Sequence, residues 1–307
     1  MIDTLKLRLT HREVEGADFL NEVMPYLNPG WVRVSKDNGN EEIKGKLGNL
    51  CVNVKADSVI IYGSFCKWLL GDNYKTMTRE DIKQSIDRLS AAIHLPIERA
   101  IVTRLDVGLS IPVNEPIENY FNHLGELSRY KRLEQATTLY YDQQSKKLCF
   151  YDKNKEQRDH RETIPEQYQD TNVLRYELRY TSKLKKQLVE PEITAGMLYN
   201  EQFYTKLKAN WIEAYKQIIK VNTTQPNAIA MNSRKNFFKL TCAAWVEQMG
   251  GMAAALKYIK EAQRRGDIND KEACRRKKDI IEAYADSELT IPCNAISELD
   301  SKIAAVM

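Results

Sequence analysis

The segment AIVTRLDVGLSIPV, residues 100–113, decides the fold. Ile101, Thr103, Leu105, Val107 and Leu109 point one way along it, and Val102, Arg104, Asp106, Gly108 and Ser110 point the other. A period of two with one apolar side is the pattern of a strand half-buried in a sheet. The opposite side carries a cation and an acid where a sheet is normally apolar or merely wetted.

Neighbouring segments share the period. Leu5, Leu7 and Leu9 alternate with Lys6, Arg8 and Thr10, and WVRVS (31–35) and NLCVNVKA (49–56) alternate on either side of the turn-rich KDNGNEE. The segment MTREDIKQSIDRLSAAIHL (77–95) switches to helical spacing at Ile82, Ile86, Leu89 and Ile93, with Thr78 as N-cap and Pro96 as the stop. A further helix is expected over 115–127. ATTLYY (136–141) and LCFYDK (148–153) read as a hairpin around the polar tip DQQSKK. In NVLRYELRYT (172–181), Val173, Arg175, Glu177 and Arg179 share one face, opposite Leu174, Tyr176, Leu178 and Tyr180. Helices are expected near 200–221, 233–249, 251–265 and 269–286, broken at Gly250-Gly251 and Gly266.

Strands and helices do not alternate regularly, so the expected fold class is α+β. A largely antiparallel sheet with flanking helices fills residues 1–190, and a helical region fills 191–307. No internal repeat is legible.

Composition narrows the function classes. With 43% hydrophobic and 29% charged residues, the 307-residue chain is that of a soluble globular protein. No apolar run approaches the roughly 18–20 residues of a membrane span, and the first residues lack a signal-peptide core, so a cytoplasmic location is expected. The six cysteines lie far apart without a CxxC pair, and four histidines leave little for histidine chemistry or a zinc site. The net charge of +4 is small, but Ser128–Leu188 holds fourteen basic against nine acidic residues and Lys257–Lys278 nine against four. Such stretches suit a polyanionic partner or a plain solvated helix face.

If the polar faces of the three strands coincide, one sheet surface holds Arg104, Asp106, Tyr151, Lys153, Arg175, Glu177 and Arg179. Two converging carboxylates without histidine suit magnesium or manganese, which prefer oxygen ligands, and such an ion can polarise a phosphodiester. A phenol has an ordinary pKa of about 10; a metal or Lys153 would help Tyr151 act as a nucleophile. The alternatives are cross-strand pairing of Asp106 and Glu177 with the arginines and a packing role for the tyrosine.

The blocks MIDTLKLRL, GSFCKWLLGDN, TRLDVGLSI, LCFYDKNKE and LRYELRYTSKLKKQL, in that order over residues 1–190, resemble the phage and plasmid replication initiators typified by the gene II protein of filamentous phages, related to plasmid rolling-circle initiators and transposon relaxases. The resemblance implies a metal-dependent endonuclease that nicks one strand at an origin, with a tyrosine joined to the 5′ end and the 3′ hydroxyl left to prime rolling-circle synthesis. It matches the nucleophile to Tyr151, its following lysine to Lys153, and the acids to Asp106 and Glu177. Residues 1–190 would then be the catalytic part, with magnesium or manganese as cofactor and DNA, host helicase and polymerase as partners. The third metal ligand is unassigned, with Asp3 a candidate, and Tyr140, Tyr141, Tyr176 and Tyr180 are rival nucleophiles. A mobilisation relaxase with the same chemistry, or a non-catalytic DNA-binding regulator, are the alternatives. Arg104, Arg175, Arg179, Arg275 and Arg276 are the candidate DNA contacts, the last two in a helical region that suits DNA binding or oligomerisation.

Overall fold

The computed structural model describes residues 1–29, 32–37, 40–221, 224–226, 232–284 and 290–306. Two compact units emerge: Met1–Ile219 together with Asp300–Met307, and Lys220–Leu299.

The first unit is built on ten antiparallel strands, β1 (Ile2–Thr10), β2 (Arg33–Asp37), β3 (Asn40–Leu47), β4 (Leu50–Lys55), β5 (Ser58–Ser64), β6 (Ile101–Val113), β7 (Lys131–Gln135), β8 (Thr138–Gln143), β9 (Lys146–Asp152) and β10 (Asn172–Tyr180). They form one sheet in the order β2-β3-β4-β5-β1-β6-β10-β9-β8-β7. The expected α+β class with an antiparallel sheet and a helical C-terminal region is what the chain adopts.

The strand order contains a duplication that the sequence hides. A long strand, β1, is followed by a four-strand meander whose last member, β5, returns beside it; β6 repeats this with β7–β10. The two halves join along the central β1–β6 pair. Helices also repeat in place: α1 (Phe19–Val23) and α4 (Ile117–His123) follow the two long strands, and α2 (Phe65–Leu70) with α3 (Arg79–Ile93) follow β5 as α6 (Leu184–Leu188) with α7 (Glu201–Lys216) follow β10. The second half adds α5 (Lys153–Asp159) between β9 and β10.

One sheet face is apolar and carries helices. Leu5, Leu7, Leu9, Val52, Ile61, Leu105, Val107, Leu148, Phe150, Tyr176 and Leu178 are all buried. Phe150 stacks on Tyr176 at 4.4 Å between ring centres, and Trp211 of α7 packs on Tyr176 at 4.5 Å. Helix α3 buries Ile82, Ile86, Leu89 and Ile93 and starts in a capping box between Thr78 and Asp81.

Several local expectations change. The helix stops at His94, whose φ of 55° supplies the left-handed cap, before Pro96 is reached. KDNGNEE contributes an unforeseen strand, β3, although Asn38 and Gly39 lie outside the described residues, as does Trp31. The helix expected over 115–127 is confined to Ile117–His123. The hairpin tip is only Gln144-Ser145, because Gln143 pairs with Lys146.

The second unit contains α8 (Arg234–Gln248), α9 (Met252–Arg265) and α10 (Asp270–Tyr284), with β11 (Thr224–Pro226) paired to β12 (Thr290–Pro292). Val246, Ala255, Ile259, Ala273 and Ile280 form its core.

Candidate active site

The register brings the polar residues of three strands onto the sheet face opposite the apolar one. On β10, Arg179 lies across from Asp106, Glu177 from Gly108 and Arg175 from Ser110 of β6; on the other side Arg175 lies across from Tyr151 of β9. Arg104, Asp106, Tyr151, Arg175, Glu177 and Arg179 therefore share one surface.

Lys153 does not. Asp152 ends β9, and its carboxylate accepts a hydrogen bond from the Lys155 amide, so the chain leaves the sheet and Lys153 opens α5. Its side chain is fully buried, 2.6 Å from Glu156 and over the ring of Tyr74. Burial lowers its pKa, and Glu156 opposes that shift.

The remaining side chains form an alternating chain of charge. Arg104 forks onto Asp106, with Nε 3.0 Å from Oδ1 and Nη2 2.7 Å from Oδ2. Arg179 lies 3.9 Å from Asp106 and binds Glu177 Oε2 through Nε at 2.8 Å and Nη2 at 2.7 Å. Arg175 donates from Nε to Glu177 Oε1 at 3.1 Å and from Nη2 to Asp3 Oδ2 at 2.7 Å. Its Nη1 donates to the Asn73 carbonyl and the Ser110 hydroxyl. Buried charges of this kind persist only when so satisfied.

Asp3 joins the chain because β1 slips against β6 between Ile2 and Leu5. Without that bulge, simple alternation would aim Asp3 with Leu5 into the apolar core. Ser64 also donates to Asp3, at 2.5 Å.

Tyr151 is the neutral member. Its hydroxyl donates to Glu177 Oε1 at 2.9 Å, and it lines a cavity of about 280 Å³ with Tyr140, Asp152, Glu156, His160 and Arg179. Burial, reinforced by the charge of Glu177, holds the phenol pKa well above its usual value. Burial would also raise Glu177, but Arg179 and Arg175 override it and set its pKa to about 2. For Asp106 burial wins over the Arg104 fork, and the pKa stands at about 6.

Gly108 makes room for this packing. A Cβ there would lie 2.6 Å from Glu177 Cγ and 3.0 Å from the Tyr176 carbonyl. Among the described residues no three His, Cys, Asp or Glu side chains converge on a point that could hold a metal ion. The oxygens of Asp106 and Glu177 face guanidinium groups instead.

A family model describing the N-terminal part of the phage gene II replication-associated protein matches residues 1–213, which contain every group in this chain of charge. The chain belongs to this family. The likeness to gene II replication proteins is thus shown, and this gene II family member is a replication-associated protein. No curated protein matches it. Among the described residues no helix is long and apolar enough to cross a membrane.

Not every candidate falls within the matched region. Arg275 and Arg276 lie on α10 of the second unit, exposed, with Arg276 held by Glu272 and Asp279. Of the rival tyrosines, Tyr141 and Tyr176 are buried on the apolar face and bonded to backbone carbonyls. Tyr180 is buried with them, while Tyr140 shares the polar face. Asn73 and Ser110, which hold Arg175, were missed by sequence reasoning; Ser110 was at least legible as a member of the polar side of its strand.

Proposed function

We propose that the first unit is a DNA-nicking and strand-transfer enzyme acting at a replication origin, with Tyr151 as its nucleophile. The observation that carries this reading is the Tyr151–Glu177 hydrogen bond set between Arg175 and Arg179. The phenol oxygen would attack the scissile phosphorus, forming a phosphotyrosine to the 5′ end and breaking the bond to the 3′ oxygen, which leaves as a hydroxyl after taking a proton.

The arginines give this geometry its logic. With a pKa near 2, Glu177 orients the phenol but is too weak a base to deprotonate it. A phosphodiester approaching Arg179, which is 24% exposed, competes for its guanidinium. As Arg179 turns to the phosphate, Glu177 loses the neighbour that most depresses its pKa and becomes a better base, while the guanidinium stabilises charge growing on the phosphate. Arg175, fully buried and held on four sides, keeps Glu177 in place throughout.

Magnesium or manganese enters this reading as a requirement to be tested. As placed, the oxygens of Asp106 and Glu177 are held by guanidinium groups and the Tyr151 hydroxyl, so a cation would have to displace one of these partners to bind there. Incubation with supercoiled origin DNA and magnesium should give a nicked circle bearing protein on its 5′ end, a parallel reaction in EDTA reads the metal requirement by loss of that product, and mass spectrometry of the linked peptide should find Tyr151. Tyr151→Phe should lower adduct formation at least a thousandfold. Adduct formation at the normal rate by that variant, with the link on Tyr140, would sink the assignment. Origin binding without any covalent product would favour a DNA-binding regulator, for which the saturation of both acids by arginine is the supporting observation.

A further inference from the structure

We infer that the polar face of the first half of the sheet, β1 with β3 to β5, is the track along which single-stranded DNA leaves the site around Tyr151. This inference rests on the nicking reading above.

The face is continuous with that site. Arg104, which forks onto Asp106, also reaches the next strands, with Nη1 3.2 Å from the Tyr62 hydroxyl and its guanidinium 5.5 Å from the Tyr62 ring centre. Lys6 lies between them, paired across β1 with Arg104 on one side and Tyr62 on the other. From β9 to β4 there are five inter-strand steps, roughly 24 Å at ~4.8 Å each, enough for a short run of nucleotides. Among the described residues no helix of the kind that covers the apolar face shields Lys6, Arg8, Lys55 or Tyr62, all of which are exposed.

Two adjoining hollows on this face differ in chemistry and share Ile60. One, of about 400 Å³, is lined by Cys51, Ile60 and the Tyr62 ring with Lys44 and Lys46 at its edge. Its neighbour, of about 350 Å³, is lined by Lys6, Arg8, Lys55, Ser58 and Thr103, with one acid, Asp57. Glu42, also on this face, is occupied by Lys44 at 2.8 Å and Lys55 at 3.7 Å. Lys6 and Arg8 have no ion-pair partner among the described residues.

An apolar, ring-walled hollow beside a cationic one is what a nucleotide chain presents in mirror image: a base that stacks and a phosphate that needs a cation. The stacking half selects for a single strand, because a duplex keeps its base faces to itself and offers a flat sheet only phosphates. The sheet face is thus matched to unpaired bases.

The test uses the full chain and fluorescently labelled oligonucleotides, single-stranded and duplex, followed by anisotropy at several salt concentrations. Tyr62→Ala should weaken single-strand binding about tenfold and leave duplex binding unchanged, whereas Tyr62→Phe should bind as the wild type. Lys6→Gln with Arg8→Gln should lower the single-strand salt slope by about 1.4, at ~0.7 per lost cation. A strand carrying 5-iododeoxyuridine should photocrosslink to Tyr62. Unchanged single-strand affinity in both variants, or equal losses on duplex, would overturn the track. Tyr151→Phe separates the two readings. It should keep full single-strand affinity and the Tyr62 crosslink without an adduct. If the wild type forms no adduct yet crosslinks at Tyr62, nicking fails and the track stands; an adduct on Tyr151 with no crosslink and unaltered variant affinities reverses that outcome.

Discussion

At the scale of single residues, the charges around Glu177 make stability depend on pH with a defined sign. Its folded pKa, about 2, lies below the ordinary value of 4.5. Its contribution is complete above pH 4.5 and is lost as pH falls through 2, amounting to roughly 2 kcal/mol between pH 6 and pH 3. The difference in urea unfolding free energy between the wild type and Glu177→Gln should shrink by this amount over that range, a comparison that cancels the opposite change at Asp106. Asp106 runs the opposite way: its folded pKa of about 6 exceeds 3.8, so it favours the folded state more below pH 4 than above pH 6. Gly108→Ala should cost about 1–3 kcal/mol, since the added methyl meets Glu177 and a backbone carbonyl; a lowered thermal midpoint together with weakened nicking is expected. Most of these residues were legible in the sequence, because alternation alone assigns Arg104, Asp106, Arg175, Glu177 and Arg179 to polar faces. What alternation cannot show is that acids and arginines neutralise one another, which depends on strand register. Asp3 was legible only through resemblance, because a bulge turns it against the period of its own strand.

At the scale of elements, the end of β9 is decided by one cap. Asp152 stops the strand and starts α5, so Asp152→Ala should lower stability by about 1 kcal/mol, read as a reduced urea midpoint with an unchanged slope. Helix α5 also shows why Lys153 was misplaced: counting in twos from Tyr151 assumes that the strand continues, and the cap interrupts that count after a single residue. Removing Glu156 leaves the Lys153 ammonium buried without its carboxylate, so Glu156→Ala should destabilise more than Lys153→Met, a difference of a few kcal/mol in paired unfolding measurements. Strands β3 and β7 escaped the sequence for another reason. Lys131, Leu133, Glu134 and Gln135 of β7 are all exposed, and Lys44 and Lys46 give one side of β3 the composition of a turn. Both β7, at the sheet edge, and β3, next to the other edge, bury little apolar surface and so leave little period to read.

At the scale of the whole molecule, fold class follows from the irregular order of strands and helices, whereas the duplicated topology is a matter of pairing and leaves no trace in residue identity. Tyr151 and the acids Asp106 and Glu177 come from the second half, and Asp3, Ser64 and Asn73 from the first. The C-terminal residues return to the first unit: Asp300 accepts a hydrogen bond from Tyr215 at 2.6 Å, and the Val306 carbonyl accepts one from Lys208. A chain ending at Ile219 should therefore melt several degrees below the corresponding transition of the full chain, by calorimetry. The central seam has a kinetic consequence as well. Neighbouring strands within each meander pair locally, but β1 with β6 joins residues about a hundred positions apart, and the Arg175–Asp3 bond spans 172. Contacts of such separation form late. The two meanders can collapse early as separate hairpin stacks, and a growing or partly folded chain still has Arg175 without Asp3. The surroundings of Tyr151 are completed by the closure that spans the greatest length of the first unit, so the alternating charges around it exist as a set only once Arg175 has met Asp3.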